Sequence, residues 1–577
     1  MLKKIILLIL IACGVTFLFT YPVVMKFSST IPVFYSTDEP YGVIWSFWWF
    51  KYAWINGIPA EEVSLLAYPQ GLKIAIFSLW GHLARFLALC SSEIIAYNIL
   101  LLGTYLLSAG GMFCLVFFLT RNAWLSLFPA LIYAFCPFHS VRVWQHFGAA
   151  QIQWLPLYFL FFLRLWRFRD LLSALLLGVF FALNYYYDAH FAYFLAPITA
   201  VLYLYCILQR DTGSREKLVF SAKLFLGIAF GIVLLLPVLL PFLSRVFQAA
   251  HSLSGGHAYN VAQRSFEDLF AQSARPLSYV LPFTEQPLLG GITRMFIGSK
   301  LWGESLTEHN IFLGFIPLGL AIFSFRRRKE IVEYYRAQGA DVRFAIKFFF
   351  ALCIIGWFFS QPPRWNIFGL KLPMPSFFLY KLFPMVRAYV RIGAIVMVGV
   401  SVLAGLALGF FLSRFPGALK RRAVAVALLA GALFEFWYVP TDHIADLSRY
   451  PAVYDWLEKE PSGTVIAEYP LDIEGPNELY KFYQTKHHKA MINGAFPMTE
   501  AHEVLKGLQK ISQETTAVSL GTMGVRFVFL HRDGYERTGL TEAMADAAGA
   551  RSNKGLKFLR QADGIEIYEV VAGRAAR

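Results

Sequence analysis

Twelve apolar runs punctuate the chain, at roughly 5–25, 74–90, 94–119, 124–138, 150–166, 171–187, 190–208, 218–243, 310–325, 345–360, 388–412 and 423–439. Most approach the ~20 residues that carry a helix across about 30 Å of hydrocarbon. Segments this apolar are stable as helices in a bilayer, where each backbone N–H and C=O is satisfied inside the helix. With 57% of 577 residues hydrophobic and 15% charged, the chain reads as a mostly α-helical, polytopic membrane protein.

The run 74–90 is short and carries His82 and Arg85, with Lys73 beside it. Parity decides its role. If it does not span, the loops with Arg121; Arg164, Arg167 and Arg169; Arg210, Arg215 and Lys217; Arg326-Arg-Arg-Lys329; and Arg414, Lys420, Arg421 and Arg422 share a side with Lys3 and Lys4. If it spans, all of them flip outward. The positive-inside bias therefore selects about eleven spans, a cytoplasmic amino terminus and an outer carboxyl end. Residues 26–92 and 244–309 become long outer loops. The net charge of +15, from 52 basic and 37 acidic residues, follows the same bias, so nucleic acid is not an expected partner. The six cysteines lie in apolar segments without paired spacing, giving neither a disulfide framework nor a metal motif. Met1-Leu-Lys-Lys before 5–19 lacks a small-x-small cleavage site and reads as the start of a retained first span.

In the first outer loop Asp38 and Glu39 precede a segment crowded with aromatics: Tyr41, Trp45, Trp48, Trp49 and Tyr52. From Tyr41 to Ile55 there are only about 22 Å of helix, too few to cross, so the segment is expected to lie along the bilayer surface. Asp38-Glu-Pro40 is also a good helix start, with Asp38 as cap and Glu39 in the first turn. A cap can also be a base.

Arginine outside the membrane runs against the charge bias. A guanidinium keeps its charge and grips phosphate oxygens in a fork; equally, it can anchor a span to head groups. Arg142 in the segment 138–146, and Arg387 and Arg391 at the mouth of the tenth span, are the arginines of interest. Near them in outer turns stand His146, Asp188 and His190, and Glu308 and His309, where the loop 244–309 re-enters the membrane. Each has a plainer reading as an ion pair or a hydrogen-bonded histidine. His139 and His146 lack ligand spacing for a metal.

After Pro440 the composition changes. Residues 450–460 read as an amphipathic helix, 463–469 as a strand, 500–521 as a helix, 525–530 as a buried strand and 556–571 as a hairpin turning at Ala562-Asp-Gly564. Two domains are expected: a multi-span domain at 1–440 and a small α/β outer domain at 441–577. The latter has no phosphate loop, nucleophile elbow or metal spacing, and reads as a cap or docking module.

Several phrases together carry a resemblance: Asp38-Glu-Pro with Trp48-Trp49, Tyr68-Pro-Gln-Gly71, Gln153-Trp-Leu-Pro156, Glu308-His-Asn-Ile-Phe-Leu-Gly314, Val386-Arg-Ala-Tyr-Val-Arg-Ile392, Ala467-Glu-Tyr-Pro470 and Gly524-Val-Arg-Phe-Val528. Over nearly its whole length the chain resembles the GT-C membrane glycosyltransferases, in a bacterial branch similar to the protein O-mannosyltransferases and the aminoarabinose transferase acting on lipid A. The resemblance implies inverting sugar transfer from a polyprenyl-phosphate donor to a glycan, lipid or protein acceptor at the outer face of a bacterial inner membrane. It implies Asp38, with Glu39 adjacent, as the acidic catalytic site. Arg387, Arg391 and Arg142 would hold the donor phosphate, and His146, Asp188, His190, Glu308 and His309 would contact substrate. Some members pair their acid with a divalent metal; this loop has no Asp-x-Asp, and no cofactor is expected. Two other readings stand beside the enzyme: a transporter of lipid-linked sugars, and a non-catalytic envelope assembly factor.

Overall fold

Small residues decide how two of the helices meet. Ala174-Leu-Leu-Leu-Gly178 and Gly227-Ile-Ala-Phe-Gly231 each place small side chains four apart, on one helix face. In the computed structural model these faces touch. A Cβ added at Gly178 would stand 2.2 Å from the Gly227 carbonyl oxygen, and one at Gly227 2.4 Å from that of Ala174. The structure describes residues 2–34, 39–73, 79–210, 212–252, 264–303, 305–471, 477–495, 500–538 and 541–573. Two units emerge: Met1–Val24 with Leu100–Thr441, and Met25–Ile99 with Asp442–Arg577.

The first unit is helical. At its centre runs Gly393–Ser413, buried without interruption from Gly393 to Phe410. A helix apolar on every side is stable only when surrounded, and this one is. Gly399 meets Cys353 and Phe349, Gly405 meets Pro129, and Gly409 meets Leu125 and the Tyr335 hydroxyl. Among the described residues six helices are long and apolar enough to cross a membrane: Lys3–Met25, Glu93–Thr120, Ala189–Ile207, Ser214–Pro241, Arg343–Ser360 and Tyr389–Ser413. The bent pair Ala123–Ala134 and Pro137–Gln145 makes a seventh if counted as one span. About eleven are expected from the sequence. Helix length and charge make the difference: the apolar run at 310 begins outside any helix, leaving Phe315–Arg326 with 12 residues, about 18 Å, and Ala418–Phe436, long enough at 19 residues, carries Lys420, Arg421, Arg422 and Glu435. Trp154–Phe168 and Leu171–Tyr187 have 15 and 17 residues. Leu79–Cys90, in the second unit, has 12, too few to span alone.

The second unit is built on a five-stranded sheet in the order Leu556–Ala562, Ile565–Val570, Val525–His531, Val465–Tyr469, Ala490–Met491. The last three strands are parallel neighbours and the first two close an antiparallel hairpin. Its two-residue turn, Asp563-Gly564, takes positive φ at both positions (50° and 75°), the primed geometry that matches strand twist. The expected 500–521 helix is two helices, Glu500–Gly507 and Glu514–Thr522.

The aromatic segment has a different role from the one its composition suggests. Helix Glu39–Ile55 buries Trp45, Trp48 and Trp49 in a core shared with Tyr454, Tyr480, Phe527, Phe529 and Ile567. The Trp45 indole N–H donates to Gln484 Oε1 at 2.8 Å. Indoles that would sit at a lipid boundary find a sheet and a helix instead, so this part of 26–92 shares its core with the carboxyl-terminal residues.

The helix crossing sets a stability test. Gly178→Ile should overpack it, costing about 1–3 kcal/mol and several degrees of melting temperature in detergent. Gly103→Ala, where an added Cβ meets nothing within 4 Å, should leave the melting temperature unchanged or raise it.

Candidate functional site

Pro137 starts the second half of the bent pair, in the first turn where its missing N–H is harmless. The 46° bend carries Arg142 into the interior, where it is fully buried. Its guanidinium donates to the Thr307 carbonyl at 2.6 Å and to Glu308 Oε2 at 2.8 Å. Glu308 sits in a turn fixed by its own N–H, which donates to the Ser305 hydroxyl at 3.1 Å. Its other oxygen, Oε1, accepts from Arg391 at 3.0 Å.

Arg391 lies in the one-turn helix Tyr389–Ile392 that leads into Gly393–Ser413. It also donates to Asp188 Oδ2 at 3.1 Å. Asp188 joins two helices in extended backbone and caps the second, its Oδ1 accepting the His190 backbone N–H at 3.0 Å. The same oxygen meets His190 Nδ1 at 2.7 Å. Acid and base thus alternate along Arg142, Glu308, Arg391, Asp188 and His190.

Burial alone would raise both carboxyl groups. For Asp188 the His190 imidazole and the Arg391 guanidinium outweigh it; for Glu308 the Arg142 and Arg391 guanidiniums do. Both acids are held well below the usual carboxylate range, so both are charged at neutral pH.

A cavity of about 410 Å³ opens against this chain. Asp188, His190, Glu308 and Arg391 line it, with His146, Arg264, Gln272 and Arg387. Arg387, half-exposed, pairs with Asp268 at 3.3 Å. Arg264 has no carboxylate partner among the described residues; its backbone N–H donates to the Pro384 carbonyl at 2.9 Å. Among the residues lining the cavity, three guanidiniums (Arg264, Arg387, Arg391) stand against two carboxylates (Asp188, Glu308).

Most of the expected residues converge here: His146, Asp188, His190, Glu308, Arg387 and Arg391 line the cavity. Arg142, expected as a phosphate contact, is not among the cavity-lining residues; it is buried behind Glu308, with its guanidinium on Glu308 and the Thr307 carbonyl. His309 turns away. Its ring nitrogens face the Ser305 and Ser273 carbonyls at 3.1 and 3.0 Å, and burial lowers its pKa. Glu39 opens its helix in the second unit, and Asp38 lies outside the described residues. Arg264 and Gln272 are additions; the outer-arginine logic flags the first, and no sequence signal marks the second. Among the described residues no group of three His, Cys, Asp or Glu is placed to hold a metal, and the two acids lining the cavity are engaged by guanidiniums.

No protein-family model matches the chain, and no curated protein matches it by sequence. Solved structures do match. The chain shares its fold with an archaeal oligosaccharyltransferase and with ArnT. It is similar to the apo oligosaccharyltransferase of Archaeoglobus fulgidus at TM-score 0.53 and 11% identity, over 96% of this chain and 73% of that one. It is similar to the same organism's AglB, in complex with an inhibitory peptide and a dolichol-phosphate, at 0.52 and 12%, over 98% and 74%. ArnT from Cupriavidus metallidurans, bound to undecaprenyl phosphate, is similar at 0.50 and 12%, over 99% of both chains. At such identities the likeness is one of fold.

Arg391→Gln should take one of two cationic partners from each of two buried carboxylates, leaving Glu308 to Arg142 and Asp188 to His190, and cost about 3 kcal/mol at neutral pH. Because both carboxyl pKa values are lowered by folding, the stabilisation is complete above their ordinary values of 3.8 and 4.5. It is lost only as pH falls through the lowered values. The melting-temperature gap in detergent between the native chain and Arg391→Gln should therefore stay level between about pH 8 and 5 and narrow below about pH 4.

Proposed function

We propose that the chain is an inverting glycosyltransferase that moves a sugar from a polyprenyl-phosphate donor to a glycan, lipid or protein acceptor. The observation that carries this reading is the cavity lined by Arg264, Arg387 and Arg391, on a fold whose neighbours include structures holding dolichol-phosphate and undecaprenyl phosphate. In this reading the chain crosses a bacterial inner membrane about eleven times. The amino terminus is cytoplasmic, and the outer loops and the carboxyl-terminal α/β domain are extracytoplasmic, following the charge bias of the loops.

Arg387 and Arg264 grip the donor phosphate, and Arg391 presents its charge to the same oxygens while tied to Asp188 and Glu308. One guanidinium about 4 Å from a phosphate charge is worth roughly 4 kcal/mol at an effective dielectric of 20. Asp38 is the general base. As the acceptor oxygen bonds to the anomeric carbon, the bond from that carbon to the phosphate oxygen breaks and its electron pair stays on the lipid phosphate. The acceptor proton passes to the Asp38 carboxylate. Configuration at the carbon inverts. The leaving phosphate needs no proton, only nearby positive charge, and guanidiniums supply it without a metal cofactor.

Purified protein, a polyprenyl-phosphate sugar and envelope extract as acceptor source provide the test. Asp38→Asn should slow transfer by about 10²–10⁴-fold, and Arg387→Gln by about 10²-fold, with expression and melting temperature retained. Chelator should leave the rate unchanged. In cells, Asp38→Asn should cause donor to accumulate and one decoration to disappear. Undiminished product from Asp38→Asn would overturn the enzyme reading in favour of transport or assembly.

A further inference from the structure

The helix Gly393–Ser413 has a second charged site at its other end. Arg391 precedes its first turn and Arg414 follows its last, so about 35 Å of helix separate them. At the Arg414 end, helix Arg328–Arg336 packs through Ile331, Val332 and Tyr335, the Tyr335 hydroxyl donating to the Leu406 carbonyl at 3.2 Å. Arg328, Lys329, Val332, Glu333 and Arg336 of this short helix and the first turns of Arg343–Ser360 enclose a groove of about 470 Å³.

Five cations converge on it: Arg328, Lys329, Arg336, Arg343 and Lys347, against one acid, Glu333. Arg328 is held by the Phe325 carbonyl at 3.0 Å. The neighbouring carboxylate Glu330 is taken by Arg327 and Arg414, at 2.6 and 3.0 Å. Among the described residues no carboxylate lies within ion-pair distance of Lys329, Arg336, Arg343 or Lys347. The positive-inside bias explains cations spread over a membrane face; it does not explain their gathering in one concavity, where they repel each other. Arg343 and Lys347, four apart, share a helix face despite that repulsion.

We propose that this groove binds the phosphate of an anionic phospholipid head group. Phosphate supplies the missing negative charge and accepts from several guanidinium and ammonium donors at once. The residues beyond Lys347 on the same helix favour a lipid as the source of that phosphate. Ile354 and Phe358, seven and eleven residues on, lie on the same face and are exposed. An acyl chain attached to a phosphate at Lys347 runs along that stripe. The site lies a bilayer's thickness from the Arg391 cavity and is independent of the transfer chemistry proposed there.

The test uses the full chain in phosphatidylcholine nanodiscs titrated with phosphatidylglycerol or cardiolipin, with lipid retention read by native mass spectrometry. Arg336→Gln with Arg343→Gln should weaken anionic-lipid retention by about 30-fold. Lys420→Gln with Arg422→Gln, which removes equal charge from the Ala418–Phe436 helix outside the groove, should leave it unchanged. Equal loss from both pairs would make the effect one of diffuse surface charge and overturn the site. Inorganic phosphate or pyrophosphate at millimolar concentration should not displace the lipid; if either does, the groove is a soluble-anion site and the head-group assignment fails. Melting in phosphatidylcholine alone checks that the double variant folds, and the single change Lys347→Gln gives a second reading, expected to weaken retention in the same direction.

Discussion

Charges buried in a helical interior persist only when opposite charges hold them there, and the first unit depends on that constraint. Arg142, Glu308, Arg391 and Asp188 come from four separate parts of the chain, and none is tolerable in its position without its neighbours. The chain of pairs therefore ties the bent helix at Pro137, the re-entering loop at Glu308, the start of the central helix and the turn at Asp188 to one point. It also divides the arginines by role. Arg142 and Arg391 are buried and tied to carboxylates, whereas Arg264 and Arg387 stand at the more exposed part of the cavity, Arg387 with Asp268 and Arg264 with no carboxylate among the described residues. Removing a partner breaks the geometry before it changes the chemistry.

The central helix gives that site its support. Its glycines let Pro129, Cys353, Leu125 and Tyr335 approach its backbone closely, so Arg391 rides on a rod packed on all sides. The same rod ends beside the basic groove of Arg328–Arg336 and Arg343–Ser360. Two collections of guanidinium groups therefore sit at opposite ends of one helix, one threaded through buried acids and one short of them.

Much of this was legible in the residues. The apolar runs became helices because their length and composition leave little else in a bilayer. Asp563-Gly564 announced its hairpin through a turn that needs two positive φ angles. Asp188 and His190, two apart in a short turn, were bound to be neighbours. Arg142, Arg387 and Arg391 stood out because arginine on that side of the charge pattern needs a reason. Other parts were not legible. The stretch 310–314 shortens a helix, and Gly314, the cap at positive φ, with Pro317 in the first turn, marks the delayed start only once the fold is known. The tryptophans of Glu39–Ile55 have the composition of lipid-boundary anchors, and only the presence of a sheet to pack against makes them a core. His309 follows Glu308 directly, yet its ring turns to two carbonyls while Glu308 faces the cavity. Gln272 joins the cavity from a segment with no distinguishing pattern.

The sequence by itself determined the class of environment, the helical character and the side of the charge pattern on which arginine is unusual, because hydropathy, local turn chemistry and charge bias act over short stretches of chain. Tertiary structure alone decided which arginines are paired with which carboxylates, since those carboxylates stand 83 to 203 residues away along the chain. Local rules reach as far as a helix turn. The pairing of Arg391 with both Asp188 and Glu308 required the fold.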